Sequence, residues 1–141
     1  EIGGKELPAE SRRLTDLRNL LETRIFTRLE HVHVNGSMSE RLPGNLNLSF
    51  EYVEGESLIL GMGEVALSSG SACTTATLEP SHVLAALGVP EPLARASIRF
   101  GLGRGNTEAE VDRVCVLLER EVRRLRELSP LYPLAAKTKN R

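Results

Sequence analysis

Tryptophan is absent from this chain, and aromatic residues of all kinds make up only 4% of its 141 residues. Platforms on which nucleic-acid bases stack are built from aromatic side chains, so the composition argues against a single-stranded nucleic-acid binder. An excess of charge of one sign is also missing, because 18 Lys and Arg residues balance 19 Asp and Glu residues. The chain therefore lacks the basic field that attracts nucleic acid or an anionic membrane, and we expect neither as a partner.

Long hydrophobic runs are missing too, and the longest is far shorter than the roughly 20 residues of a membrane-spanning helix. Cysteine occurs only twice, at Cys73 and Cys115, and neither residue belongs to a CxxC pair. Two isolated thiols argue against a disulfide framework and against structural zinc. The cysteine usage therefore predicts a reducing compartment, the cytoplasm or, in a eukaryote, the mitochondrial matrix.

What is present is an ordinary globular composition, with 40% hydrophobic and 26% charged residues. A chain of this length can bury one core, so we expect a single domain over residues 1–141. Apolar residues recur at helical spacing at Leu14, Leu17, Leu21 and Ile25. This stripe predicts an amphipathic helix over 10–28, after an irregular lead-in at 1–8 that contains two glycines and a proline.

The clearest predicted element is a second long helix that begins after Thr107. Thr107 and Glu110 have the spacing of a capping box, in which each side chain satisfies a free backbone N–H of the other residue. Pro130 ends the helix. Its buried stripe comprises Val111, Val114, Leu118, Val122 and Leu125.

Alternating apolar residues predict short strands at 31–34, 45–51, 65–69 and 97–102. Short helices are predicted at 56–62 and 80–87, the second of them closed by Gly88 as its C-terminal cap. The order of elements predicts an α+β fold, in which helices cover a small sheet of three to four strands.

Cys73 is the first candidate for chemistry. It lies in a segment of Gly, Ser, Ala and Thr between a predicted strand and a predicted helix, which favours an accessible thiol able to act as a nucleophile. The alternative is a small buried hydrophobic side chain, the common fate of a free cysteine. Cys115 fits that alternative, because it adjoins the buried stripe of the last helix.

Arg99 is the second candidate, since it stands between apolar Ile98 and Phe100 on a predicted strand. It is either a strand residue that faces solvent or a guanidinium offered to a carboxylate. Arg104 could bind a carboxylate in the same way. The glycines at 101–105 are not followed by the lysine of a phosphate-binding loop.

Five sequence blocks then occur in order: YVEGESL at 52–58, LSSGSACT at 67–74, LEPSHVL at 78–84, SIRFGLGR at 97–104 and RLRELSP at 124–130. Together they resemble the C-terminal part of a group I cysteine desulfurase, the pyridoxal-phosphate enzyme that supplies sulfur for iron–sulfur cluster assembly. The resemblance runs from the first helix to Pro130 and implies the C-terminal small domain of a fold-type I pyridoxal-phosphate enzyme.

The resemblance also implies an activity, in which sulfur is removed from L-cysteine to give L-alanine and a persulfide on Cys73. By its place in the SIRF block, Arg99 matches the family arginine that holds the substrate carboxylate. The persulfide would pass to an iron–sulfur scaffold protein or another sulfur acceptor, and through it Cys73 would serve as a transient iron–sulfur ligand. The complete enzyme would be a homodimer.

The family's cofactor lysine stands in a Ser-His-Lys type motif, and this motif is absent here. The three lysines, Lys5, Lys137 and Lys139, stand near the two ends of the chain in other contexts. We therefore expect the small domain alone, with the large pyridoxal-phosphate domain in another segment or another chain. Two alternatives are a persulfide carrier without enzymatic activity and a fragment that only binds partners.

Overall fold

A computed structural model describes residues 2–36, 43–63, 75–78, 81–103 and 105–132, with the backbone alone at 2–8, 75 and 81. Its elements are α1 (Ile2–Arg28), β1 (Val32–Val34), β2 (Asn45–Phe50), α2 (Gly55–Gly61), β3 (Thr75–Leu78), α3 (Ser81–Ala86), α4 (Glu91–Ala94), β4 (Ser97–Gly101) and α5 (Glu108–Leu128). The predicted α+β fold, helices with a small sheet of three to four strands, is confirmed.

Within the described residues the sheet has four antiparallel strands in the order β1-β2-β4-β3. Successive side chains of a strand point to opposite faces, so β2 and β4 each present an apolar face and a polar face. On the apolar face Leu46 lies opposite Phe100 and Leu48 lies opposite Ile98, and all four are fully buried. The stripes of α1 and α5 pack with this face into one core, which includes Leu17, Leu21, Ile25, Val111, Val114, Leu118 and Val122.

Two helix-capping signals predicted from the sequence are confirmed, the capping box at the start of α5 and the glycine cap after α3. Thr107 Oγ1 accepts a hydrogen bond from the Glu110 N–H, and Glu110 Oε1 accepts one from the Thr107 N–H at 3.0 Å. Gly88 follows α3 with a φ of +79°, the left-handed conformation that closes a helix and that glycine adopts without strain. The Val89 N–H then bonds the Leu84 carbonyl at 3.0 Å.

One prediction was wrong: α1 begins at Ile2, and residues 2–8 are helical rather than irregular. Glycine costs about 1 kcal/mol in a helix and proline about 3 kcal/mol, but both accept helical φ values, so they weaken a helix without forcing it to end. Once the core anchors the stripe through Leu21 and Ile25, the helix extends toward Ile2 without a new nucleation cost, although Pro8 has no N–H to donate.

Two short elements were not predicted, the four-residue strand β3 and the one-turn helix α4, since neither is long enough to show a period. The strand predicted at 65–69 lies outside the described residues, as does Pro80. Among the helices in the described ranges, none has the length and apolarity to cross a membrane.

Candidate functional site

The polar face of the sheet carries Arg99. Its neighbours on β4, Ile98 and Phe100, are fully buried, whereas Arg99 is exposed, so the predicted orientation of this arginine is confirmed. Asn47 of β2 and Thr77 of β3 lie directly opposite Arg99 on the two neighbouring strands. Directly opposed residues in an antiparallel sheet have Cβ atoms about 5 Å apart. The guanidinium therefore lies in a row of polar side chains across three strands.

A buried hydrogen-bond network adjoins this row on the same face. Asn35 Nδ2 lies within hydrogen-bond distance of Asn47 Oδ1 at 3.0 Å, Ser49 Oγ at 2.8 Å and Ser97 Oγ at 3.2 Å. The two serine hydroxyls are 2.6 Å apart, and Ser97 Oγ donates to the backbone carbonyl of Leu93 at 2.8 Å. Asn35, Ser49 and Ser97 are all buried, so these bonds fix β2, β4 and the residue that follows β1 to one another next to Arg99.

Cys73 and Arg104 both lie outside the described residues. In sequence, Cys73 stands two residues before Thr75, the first residue of β3. Thr75 pairs with Gly101, which is two residues beyond Arg99 on β4. The described structure thus brings Arg99 together with Asn47, Thr77 and the Asn35 network, and it leaves the roles of Cys73 and Arg104 as predictions.

The described side chains include no lysine, because Lys5 belongs to the stretch described by its backbone alone and the other two lysines follow residue 132. None of the described side chains can therefore form an imine with pyridoxal phosphate, and they do not fit that cofactor by themselves. The same residues also contain no group of three or more His, Cys, Asp or Glu side chains that could hold a metal ion.

Cys115 has the buried role predicted for it. Its side chain is 1% exposed and belongs to the core beneath α5. Burial raises the pKa of this thiol, and the nearby positive charges of Arg28 and Arg24 offset part of the effect. A neutral thiol in an apolar layer is a poor nucleophile, so Cys115 is a structural residue.

Arg126 is a feature that sequence reasoning missed. Its side chain is only 2% exposed, and it donates from Nε to the Glu51 carbonyl at 3.0 Å and from Nη2 to the His31 carbonyl at 3.1 Å. His31 and Tyr52 both have positive φ values, so the guanidinium holds two strained turns at one end of β1 and β2. Burial lowers the pKa of Arg126, an effect that Tyr132 and Glu51 partly offset. An arginine in the last turn of a helix gives no sequence signal of such burial.

Comparison with known proteins places these features in a family. The family model described as aminotransferase class-V matches residues 5–114. The chain belongs to this class-V family. Cysteine desulfurase IscS of Anaeromyxobacter sp. (strain Fw109-5) is 54% identical to this chain over 134 residues. The match covers 95% of this chain and 33% of that protein. The mitochondrial cysteine desulfurase of Arabidopsis thaliana is 52% identical over 134 residues, covering 95% of this chain and 30% of that protein.

A solved structure of a NifS-like protein is similar in fold, with a TM-score of 0.70 and 26% sequence identity. The match covers 84% of the class-V chain and 30% of the NifS-like chain. The resemblance to cysteine desulfurases read from the five sequence blocks is therefore confirmed. The class-V chain spans about a third of the length of the curated relatives it matches.

Proposed function

We propose that this chain supplies the sulfur-accepting thiol and the substrate-carboxylate site of a cysteine desulfurase. The observation that carries the proposal is the exposed Arg99 guanidinium on the polar face of the sheet. Its strand pairs with β3, and the sequence that leads into β3 contains Cys73. An arginine binds a carboxylate through two parallel N–H···O bonds, so it is suited to orient an amino acid.

The atoms and electrons of the reaction balance with the Cys73 thiol and L-cysteine as the only two reactants. The Cys73 thiolate attacks the sulfur of L-cysteine, a sulfur–sulfur bond forms, and the carbon–sulfur bond of the substrate breaks. The substrate carbon takes up a proton, which gives L-alanine and a persulfide on Cys73. Arg99 holds the carboxylate throughout and so keeps the substrate sulfur within reach of the thiolate.

The cofactor of the family is pyridoxal phosphate, which serves as an electron sink when bound. We propose that the cofactor lysine belongs to a large domain in another segment or another chain, since this sequence lacks the family's Ser-His-Lys type motif. We propose that the assembled enzyme is a homodimer in the cytoplasm or mitochondrial matrix. The persulfide then passes to an iron–sulfur scaffold protein or another acceptor, with Cys73 as a transient ligand of the growing cluster.

The test combines the chain with the lysine-bearing large domain of a cysteine desulfurase, pyridoxal phosphate and L-cysteine. We expect release of L-alanine and a gain of about 32 Da, the mass of one sulfur, on the tryptic peptide that contains Cys73. Cys73→Ser should abolish both signals. Cys115→Ala is the matched control and should retain both, because the buried Cys115 takes no part in the reaction.

Two results would count against the proposal. L-alanine release that persists in Cys73→Ser would show that another group accepts the sulfur. A persulfide carrier would give a different result. Cys73 would gain sulfur without release of L-alanine, both in the combined sample and in the chain alone with a small persulfide donor. Loss of both signals in the Arg99→Ala variant, with the wild-type thermal unfolding temperature retained, would support the assigned carboxylate site.

A further inference from the structure

We infer that Asn47 binds the same carboxylate as Arg99, through its side-chain Nδ2, and that the buried Asn35, Ser49 and Ser97 network fixes the Asn47 amide in the orientation that allows this. The inference rests on the proposed function, since it adds a second donor to the carboxylate site assigned to Arg99. It follows from the direction of each hydrogen bond in the network.

The direction is set at one end by a backbone carbonyl, which can only accept. Ser97 Oγ lies 2.8 Å from the Leu93 carbonyl, so the single hydroxyl hydrogen of Ser97 is donated there. Ser49 Oγ lies 2.6 Å from Ser97 Oγ, and because Ser97 has no second hydrogen, Ser49 is the donor of this bond. Both serine oxygens then face Asn35 with lone pairs only.

Asn35 must therefore present its amide nitrogen to the serines, at 2.8 and 3.2 Å, because an amide oxygen there would face two other acceptors. The same Nδ2 lies 3.0 Å from the side chain of Asn47, so Asn47 must present its amide oxygen in return. Rotation of the Asn47 amide would place two N–H donors against another donor. The network thus selects one of the two amide orientations of Asn47.

The selected orientation leaves the Asn47 Nδ2 group outside the network. Within the described part of the chain, no hydrogen bond is made by this nitrogen. Asn47 is the direct cross-strand partner of Arg99 on the polar face, and its side chain is half-buried whereas Arg99 is exposed. An amide N–H and a guanidinium about 5 Å apart at their Cβ atoms can donate to one carboxylate, whereas an amide oxygen at that place would repel it.

The experiment titrates the full chain, labelled with nitrogen-15, with L-alanine, the carboxylate product of the proposed reaction. L-alaninamide, which lacks the carboxylate, is the control ligand. We expect the side-chain amide resonance of Asn47 to shift with L-alanine and to stay unchanged with L-alaninamide. Arg99→Ala should weaken the binding of L-alanine more than any other single substitution on this face.

The decisive variant is Asn47→Asp, which keeps the shape and the acceptor toward Asn35 but replaces the outer donor with a carboxylate oxygen. Its affinity for L-alanine should fall by about tenfold or more, since one charge-assisted hydrogen bond is lost and a repulsion is added. Asn45→Asp is the matched control, because it adds the same charge on the same strand and face two residues away. It should change the affinity by no more than about twofold, because a charge two residues farther along the strand lies about 7 Å away and makes no direct contact with the carboxylate.

The outcomes separate this inference from the proposed function. Equal losses in Asn47→Asp and Asn45→Asp, with a large loss in Arg99→Ala, would overturn the role of Asn47 and leave the proposed function standing. No carboxylate-dependent shift in the wild-type chain would overturn carboxylate binding by both residues, while the persulfide on Cys73 would still be judged by its own measurement. Should Asn47→Asp unfold, Asn47→Ala carries the test, with an expected loss of about threefold against no loss in Asn45→Ala.

Discussion

The two faces of the sheet differ in what they do, and strand β4 shows the difference between adjacent residues. Ile98 and Phe100 are fully buried against the helices, whereas Arg99 between them is exposed. Because a strand alternates its side chains with a period of two, one five-residue strand contributes to the core on one side and to the proposed carboxylate site on the other. Stability and chemistry can therefore be altered separately in this molecule.

The polar face is itself divided. The part that holds Asn35, Ser49 and Ser97 is buried and hydrogen-bonded, and the part that holds Arg99 is open. An exposed arginine with the proposed role would otherwise lie among side chains that move independently. Here its neighbour Asn47 is tied to a closed network, which keeps one side of the site in a single arrangement.

The largest difference between the faces should appear when Phe100 and Arg99 are truncated in turn. Phe100→Ala removes a fully buried aromatic ring and should lower the free energy of unfolding by about 3–5 kcal/mol. Arg99→Ala should change it by about 0.5 kcal/mol or less, as is usual for an exposed site. Urea denaturation followed by circular dichroism measures both.

If Phe100→Ala does not fold, the milder variant Phe100→Leu takes its place. It should lower the free energy of unfolding by about 1 kcal/mol. The separation of the two faces would be disproved by an Arg99→Ala variant as unstable as Phe100→Ala.

An intermediate effect is expected from the closed part of the polar face. Ser49→Ala and Ser97→Ala should each lower the free energy of unfolding by about 1–2 kcal/mol, because each leaves a buried partner without its hydrogen bond. The double variant should cost less than the two single costs together, since the two hydroxyls are partners of each other. Urea denaturation of all three variants gives the coupling.

Ser57→Ala is the control for this pair. Ser57 donates to Glu54 at an exposed site, and its loss should cost about 0.5 kcal/mol or less. Strictly additive costs for Ser49 and Ser97 would show that the two hydroxyls do not act as a unit.

The apolar face could be predicted from the sequence because its signals are local. The alternation of Leu46, Leu48 and Phe50 gives the strand and its buried side, and the capping box at Thr107 gives the start of α5. Each of these patterns repeats within a few residues along the chain. The resemblance to cysteine desulfurases, carried by longer blocks in order, supplied the family and the candidate roles of Cys73 and Arg99.

The network on the polar face could not be predicted, because its partners are distant in sequence. Asn35 bonds to residues 12, 14 and 62 positions away, and only the strand register brings them together. In the sequence the pair Asn35 and Gly36 is typical of a turn and gives no sign of a buried network. The burial of Arg126 has the same cause, since its two carbonyl partners are 75 and 95 positions away.

The smallest expected effect concerns the exclusion of water from the apolar layer between the sheet and α5. The pKa of the Cys115 thiol is sensitive to it. Burial raises the pKa of the Cys115 thiol in the folded chain above its ordinary value of 9.0. As pH rises past the unfolded pKa, the unfolded chain releases this proton while the folded chain keeps it, so the free energy of unfolding must fall. The contribution of the neutral thiol is complete below the unfolded pKa and is lost as pH rises toward the folded pKa.

Urea denaturation between about pH 7.5 and 10 should therefore show a steeper loss of stability in the wild-type chain than in Cys115→Ala. Every other residue is the same in the two proteins, so its contribution cancels in the difference. Parallel curves would mean that the thiol ionises as readily in the folded chain as in the unfolded one, and water would then have to reach the layer beneath α5. In that case the contrast between a buried apolar face and an exposed polar face would hold for the sheet but not for the side of α5 that packs on it.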